Sequence, residues 1–347
     1  MAKTAFLLGG SGQTGRALVP RLAGRGWNIT VASRGERPVS DELRDQARIV
    51  QLDREDDEGL RSALGGGADV LVDFVAFEAS HADQLLALAD SIGSLIVLSS
   101  SSVYADEEGL TLDEATGPAD FPELPVPIPE RQRTVEAADT TYSTKKVAIE
   151  RRLLDQDRVP TTIVRPGAIH GPGGILPREW YFVKRALDGR RYVPLADRGA
   201  GRFHTTSTEN LAELLLLAAE RPGARVLNCG DPESPTVLGI ARAIAAGMDA
   251  EWAEVLLGNP AADGEIGMTP WSVPRPFVLD MTEAEVVLGY RAVTTYAESV
   301  PATCRWVVQA TEGRDWRDLL TGRSADLWLG NFGYEAEDEF LRSLTGD

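Results

Sequence analysis

Lysine is nearly missing from this chain: only four occur in 347 residues, at positions 3, 145, 146 and 184. Basic charge is scarce altogether, with 35 Lys and Arg against 53 Asp and Glu, and the formal charge of −18 repels polyanions. A nucleic-acid partner is therefore not expected. The two cysteines, Cys229 and Cys304, lie far apart without metal spacing, and the three histidines are scattered, so no zinc pattern exists and a reducing cytoplasm is the simple expectation. Long apolar runs are missing too. The first is five residues long before glycines interrupt it, far short of a signal segment, and Leu214–Ala219 is flanked by Glu213 and Glu220, so no membrane span is expected. With arginine abundant and lysine rare, each lysine stands out.

What is present is a strand, a glycine turn and a helix. Thr4-Ala5-Phe6-Leu7-Leu8 is an apolar run of strand length. Gly9, Gly10, Ser11, Gly12, Gln13, Thr14 and Gly15 follow, and then the helical Ala17–Leu22. Glycine suits such a turn because the backbone takes unusual angles and a Cβ would hold a pyrophosphate away from the helix N-terminus. Asn28–Ser33 reads as the second strand of a βαβ unit, and further strands are expected at 48–52, 69–75, 94–99 and 161–165. That alternation predicts an α/β fold, a doubly wound parallel Rossmann sheet, with ligand outside the carboxyl ends of its strands. Where a cofactor with a free 2′-hydroxyl would meet an acidic residue, this chain has Ser33 and Arg34. Arginine there favours a 2′-phosphate, so NADP is expected with NAD as second choice; the alternative is a solvated turn arginine.

Chemistry is suggested by Tyr142-Ser143-Thr144-Lys145-Lys146. On a helix, expected within 136–155, Tyr142 and Lys146 share a face. Bringing a tyrosine from about 10 to about 7 takes roughly 4 kcal/mol of phenolate stabilisation, which a neighbouring ammonium can supply.

Several stretches together resemble the extended short-chain dehydrogenase/reductase superfamily, its NAD-dependent epimerase/dehydratase branch. Gly9–Gly15 is similar to G-x-x-G-x-x-G, Ser99–Tyr104 to S-S-x-x-V-Y, and Tyr142 with Lys146 to Y-x-x-x-K. Arg165–Gly173 is similar to R-P-x-x-x-Y-G-P-G, and Asp280 through Tyr290 to the closing segment. The Ser33-Arg34-Gly35 turn, Val72-Asp73-Phe74 and the four serines resemble an atypical group that includes chloroplast stem-loop-binding proteins and bacterial reductases. The resemblance implies that Ser100 hydrogen-bonds the substrate oxygen, that Tyr142 is the acid/base, and that Lys146 binds the nicotinamide ribose and assists the tyrosine. It also implies that Phe74, Val75, Ala76, Pro166 and Ile169 line the cofactor. Asp53 either meets the adenine amino group or caps a helix. Departures from the pattern are Ala168, where sugar-nucleotide epimerases carry asparagine, and His170 in place of an aromatic residue. Both weaken the case for a sugar nucleotide.

Residues 1–171 plus about 203–230 are expected to form the NADP-binding domain. Residues 172–202 plus 231–347 are expected to form a smaller, mixed substrate-binding lobe. Substrate candidates are Ser101, Ser102, His170, Arg202, His204 and Trp271, the last chosen among tryptophans 252, 271, 306, 316 and 328 because it sits on an irregular segment. The proline-studded interval 119–133 reads as an active-site lid or a surface insertion. The expected function is an NADP-dependent oxidoreductase acting on a carbonyl or secondary alcohol of a small molecule. Alternatives are a nucleotide-sugar epimerase or dehydratase with retained cofactor, or a non-catalytic NADP-binding regulator. A homodimer is the oligomer expected by analogy.

Overall fold

The computed structural model describes residues 2–36, 39–174, 177–258, 266–319, 332 and 334–345; Trp328 and Gly322, where the acidic tail begins, lie outside them. In the first half strands and helices alternate: β1 (Thr4–Leu8), α1 (Gln13–Gly24), β2 (Asn28–Ser33), α2 (Asp41–Gln46), β3 (Arg48–Gln51), α3 (Asp57–Leu64), β4 (Val70–Asp73), α4 (Ala79–Leu86), β5 (Leu95–Leu98), α5 (Tyr142–Leu154) and β6 (Thr161–Pro166). They are followed by β7 (Ala168–His170), α6 (Trp180–Leu187), β8 (Tyr192–Leu195), β9 (Thr205–Ser207), α7 (Thr208–Glu220) and β10 (Arg225–Cys229). Last come α8 (Val237–Gly247), β11 (Ala253–Leu256), α9 (Thr282–Leu288), α10 (Tyr296–Thr311) and a helix over Tyr334–Thr345. Among the described residues no helix is long and apolar enough to cross a membrane.

The chain divides into two compact units. The first comprises Met1–Ile169, Thr206–Pro232 and Phe277–Thr294; the second comprises His170–Thr205, Glu233–Pro276 and Thr295–Asp347. The expectation that everything after residue 230 joins the smaller lobe is corrected by the third stretch. Residues 277–294 return to the first unit because Ala284, Leu288 and Tyr290 bury in its core and Ile128 N donates to Val278 O at 2.7 Å.

Within the first unit, among the described residues, a seven-stranded parallel sheet runs in the order β10-β6-β5-β4-β1-β2-β3. Because side chains alternate along a strand, β1 sends Ala5 and Leu7 to one face and Phe6 and Leu8 to the other. Leu18 and Leu22 of α1 and Leu211 and Leu215 of α7 cover the first face. Leu60 of α3, Leu85 of α4 and Ile149 and Leu153 of α5 cover the second. Each such fully buried aliphatic side chain stabilises by roughly 2 kcal/mol, and burial on both faces explains why the central strands read as continuous apolar runs.

The 119–133 interval is not a free flap. Phe121 and Ile128 are buried, Asp280 N donates to Ile128 O at 2.9 Å, Asn228 Nδ2 donates to the same carbonyl at 2.9 Å, and Asn228 N donates to Glu130 Oε1 at 2.9 Å. These bonds stitch it to the end of the sheet.

The second unit has its own aromatic core. Trp180 and Phe182 of α6, Val237 and Ile240 of α8, Val300 of α10 and Trp271 pack together beside the parallel pair β8–β11.

Candidate active site

The sheet brings the predicted cofactor residues to one edge. β1, β2, β4, β5 and β6 are parallel, so the segments after their last residues leave the sheet on the same side: Gly9–Gly15, Ser33-Arg34, Phe74–Ala76, Ser99–Ser102 and the Pro166–Ile169 stretch. Gly9 adopts φ +80°, and a Cβ there would sit 2.7 Å from Val75 Cγ1. Gly15 admits no side chain either, since its Cβ would lie 2.2 Å from Gly10 O. Gly12 differs: its backbone is extended, and the nearest atom to a Cβ would be Gly9 O at 3.4 Å. Protein packing thus demands Gly9 and Gly15, while Gly12 keeps open the space before α1. That helix has no side-chain cap and no acidic residue in its first turn, so its leading N–H groups and partial positive charge are available to an anion. The cradle fits a dinucleotide pyrophosphate. At the end of β2, Arg34 is exposed and pairs with Glu36 at 3.1 Å. Beside it a cavity of about 660 Å³ is lined by Arg34, Arg48, Gln51, Asp53 and Asp56.

Tyr142 is the first residue of α5 because Thr141 caps the helix reciprocally with Thr144. The helix lies within the expected 136–155. One turn on, Lys146 is buried, its Nζ 5.6 Å from the Tyr142 ring centroid and 4.6 Å from that of Phe77. The ammonium donates to Ala76 O at 2.7 Å and Leu98 O at 3.0 Å, which ties α5 to the ends of β4 and β5. Burial pulls its pKa down to about 8; Asp73 and then Glu150 oppose this, and Arg54 adds to it. Ser100 Oγ lies 2.9 Å from Ser102 Oγ and accepts from Ser102 N at 3.2 Å. Ser143 Oγ, at 2.9 Å from Ser102 Oγ and donating to Ser102 O at 3.0 Å, closes a hydroxyl chain between the serine turn and α5. Ser143 thus bonds α5 to the serine turn, Lys146 bonds it to the carbonyls after β4 and at the end of β5, and Tyr142 stands on the same helix.

The model of the NAD dependent epimerase/dehydratase family matches residues 5–230. The chain belongs to that family. As a member of the epimerase/dehydratase family it is an NAD(P)-dependent enzyme of the reductase or epimerase kind. Among curated relatives, the chloroplast stem-loop binding protein of 41 kDa b of Arabidopsis thaliana is 25% identical over 305 residues, covering 83% of this chain and 75% of the relative. The 2′-dehydrokanamycin reductase of Streptomyces kanamyceticus is 28% identical over 222 residues, covering 60% of this chain and 57% of the relative. Among solved structures, the Bordetella bronchiseptica enzyme WbmG in complex with NAD and UDP superposes with TM-score 0.65 at 17% identity, covering 89% of this chain and 96% of that one.

Other candidates for a role in this epimerase/dehydratase member fare unevenly. Asp53 does not cap α3: its carboxylate accepts from Glu55 N at 3.1 Å, and Asp56 caps the helix through Gly59 N at 2.8 Å. Asp53 instead lines the cavity beside Arg34. Ser101 is buried, and Ser102 carries the bonds just described. His170, Arg202, His204 and Trp271 belong to the second unit. Trp271 is corrected from ligand contact to core: it is 1% exposed and stacks on Phe182 with interplanar angle 15°. His170 is buried with its ring 4.8 Å from that of Tyr296, and His204 is buried, whereas Arg202 is exposed.

Two buried ion pairs had no predicted role, and three of their four members, Asp73, Glu150 and Arg54, act on the Lys146 charge. Arg54 Nη1 donates to Asp73 Oδ2 at 2.8 Å, with Arg54 nearly buried and Asp73 completely so. Arg165 Nε donates to Glu150 Oε1 at 3.0 Å and its Nη2 bonds Glu150 Oε2; both side chains are buried. The readable signal was charge where a two-sided strand should be apolar: Asp73 ends Val70-Leu71-Val72, and Arg165 ends Ile163-Val164. A charge in such a place needs a partner.

Proposed function

We propose that this protein is an NADP-dependent oxidoreductase that transfers hydride at a carbonyl or secondary alcohol, with Tyr142 as acid/base, Lys146 as its cationic partner and Ser100 as the substrate-oxygen donor. The observation that carries the reading is the placement of the Lys146 ammonium one turn below the Tyr142 ring, with the Ser100–Ser102–Ser143 hydroxyl chain joined to the same helix. When bound, the dinucleotide supplies or accepts the hydride. Tyr142 Oη gives a proton to the substrate oxygen in reduction, or takes one in oxidation, and Ser100 Oγ holds that oxygen in register. Lys146 favours the phenolate, and its carbonyl partners fix where the charge sits.

The preference for a 2′-phosphate rests on Arg34. Its exposed pair with Glu36 stabilises by no more than about 1 kcal/mol, so the guanidinium can exchange that carboxylate for a doubly charged phosphate. The substrate class is a small carbonyl or alcohol. A retained-cofactor epimerase is the second reading, favoured by the fold shared with an enzyme solved with NAD and UDP, while Ala168 counts against it.

The test is turnover of a panel of ketones, aldehydes and nucleotide sugars with NADPH or NADH. Net NADPH consumption in step with product is expected; product without net consumption indicates the epimerase. Tyr142→Phe is expected to lose about 10²–10⁴-fold in rate while still binding dinucleotide. Full turnover in that variant removes the acid/base assignment. Arg34→Asp is expected to weaken NADPH at least about tenfold and spare NADH.

A further inference from the structure

Two buried ion pairs bear on Lys146. Asp73, at the end of β4, is paired with Arg54, in the turn after β3, and Glu150, one turn along α5, is paired with Arg165 of β6; Asp73, Glu150 and Arg54 act on the ammonium. The Arg54–Asp73 pair is built with care. Arg54 Nη2 donates to Gln84 Oε1 at 2.8 Å and Gln84 Nε2 returns to Arg54 O at 2.6 Å, so the guanidinium is locked between the turn and α4. Asp73 uses one oxygen for Arg54 and the other to accept from Val75 N at 2.7 Å. The second bond bends the chain as it leaves β4, and the residue after Val75 presents the carbonyl that receives Lys146 Nζ. Asp73 therefore touches Lys146's surroundings twice, through charge and through the path of the backbone.

We infer that Asp73, clamped by Arg54, is a positioning residue for Lys146: it supplies the buried countercharge that keeps the ammonium protonated beside Tyr142 and shapes the turn whose Ala76 carbonyl receives it. This deepens the hydride-transfer reading and rests on Lys146 acting there. The physical need is clear. Burial makes a lysine release its proton more readily unless an anion lies near, and a neutral amine gives a phenolate no support. Asp73 is the stronger of the two carboxylates acting on the ammonium, Glu150 the weaker, while Arg54 opposes them and so limits how firmly the proton is held. Among the described residues around the ammonium, the Phe77 ring and the Ala76 and Leu98 carbonyls bring no formal charge, and Tyr142 is the acid/base that the ammonium serves.

The scarcity of lysine makes the test direct. With four lysines, ¹³C-lysine NMR of the full chain yields four ε-methylene titrations, and Lys146→Arg assigns the buried one. Asp73→Asn is expected to lower the midpoint of Lys146 by about one pH unit or more, and Arg54→Gln to raise it. The opposition of sign is decisive. Mere loosening of the fold admits water and raises the midpoint in both variants, so a rise or no change in Asp73→Asn overturns the inference. Should Asp73→Asn fail to fold for want of Arg54's partner, the double variant Arg54→Gln/Asp73→Asn removes both charges. Its midpoint is expected below that of Arg54→Gln, and equality overturns the inference. NADP(H) binding, read in the same samples by intrinsic fluorescence, separates the two levels. Loss of all dinucleotide affinity in the unaltered protein defeats the oxidoreductase reading, whereas an unmoved Lys146 with binding intact defeats only the role of Asp73.

Discussion

Replacing Lys146 with methionine should change how stability depends on pH, and the structure sets both sign and size. In the unfolded chain the ammonium titrates near 10.5; in the folded protein burial brings it to about 8. Below about pH 8 both states hold the proton, and the fold bears the full cost of burying the charge. Between about 8 and 10.5 the folded state releases the proton while the unfolded state keeps it, so the unfolded state binds more protons and stability rises with pH. Above that window both are neutral and no further gain follows. At 1.36 kcal/mol per pH unit the gain is roughly 3 kcal/mol. Tyr104 and Cys304, each raised to about 12 by burial, and Cys229, also raised, act oppositely, since the unfolded chain ionises them first. The total curve therefore mixes signs, and the difference between the unaltered protein and Lys146→Met isolates the lysine. Urea denaturation followed by circular dichroism at about pH 7.5 and about pH 10.5 should show the unaltered protein gaining roughly 3 kcal/mol relative to the variant. Equal pH dependence in both would refute the buried, depressed lysine on which the site is built.

The Arg165–Glu150 pair should behave as one unit. Glu150→Gln strands a buried guanidinium and should cost about 3–5 kcal/mol, whereas Glu150→Leu with Arg165→Met should cost far less than the sum of the singles; additivity in a urea double-mutant cycle would argue against their coupling. Gly15→Ala forces a methyl to within 2.2 Å of Gly10 O and should lose about 1–3 kcal/mol by thermal melt. Gly12→Ala meets nothing closer than 3.4 Å and should melt within about 0.5 kcal/mol of the unaltered protein, yet bind dinucleotide more weakly by calorimetry. A parallel loss of stability in both glycine variants would undo the distinction drawn between packing and ligand space.

Much of the fold was legible because period and punctuation carry it. The predicted strands at 4–8, 28–33, 94–99 and 161–165 lie within a residue of the observed ones, since a strand covered on both faces must be apolar throughout and must end where glycine, serine or proline begins. The Tyr142–Lys146 spacing was legible for a similar reason: four residues is one helical turn, wherever the helix begins. The burial of Trp271 was not legible because irregular backbone need not be exposed, and Phe182 and its neighbours enclose it. The interval 119–133 was ambiguous because prolines announce extended backbone and say nothing of which chain segments it will pair with.

By itself the amino-acid order determined the local pieces: glycine turn, strand lengths, the shared face of Tyr142 and Lys146, and a charge balance hostile to polyanions. Each follows from neighbours a few residues apart. Only the tertiary structure decided that Asp73 should be held by Arg54, that Glu150 should face Arg165, and that residues 277–294 should return to the sheet. Those choices join groups 15 to 150 residues apart, and they arise because burying one charge or one unpaired carbonyl makes a distant partner obligatory without saying where along the chain it lies.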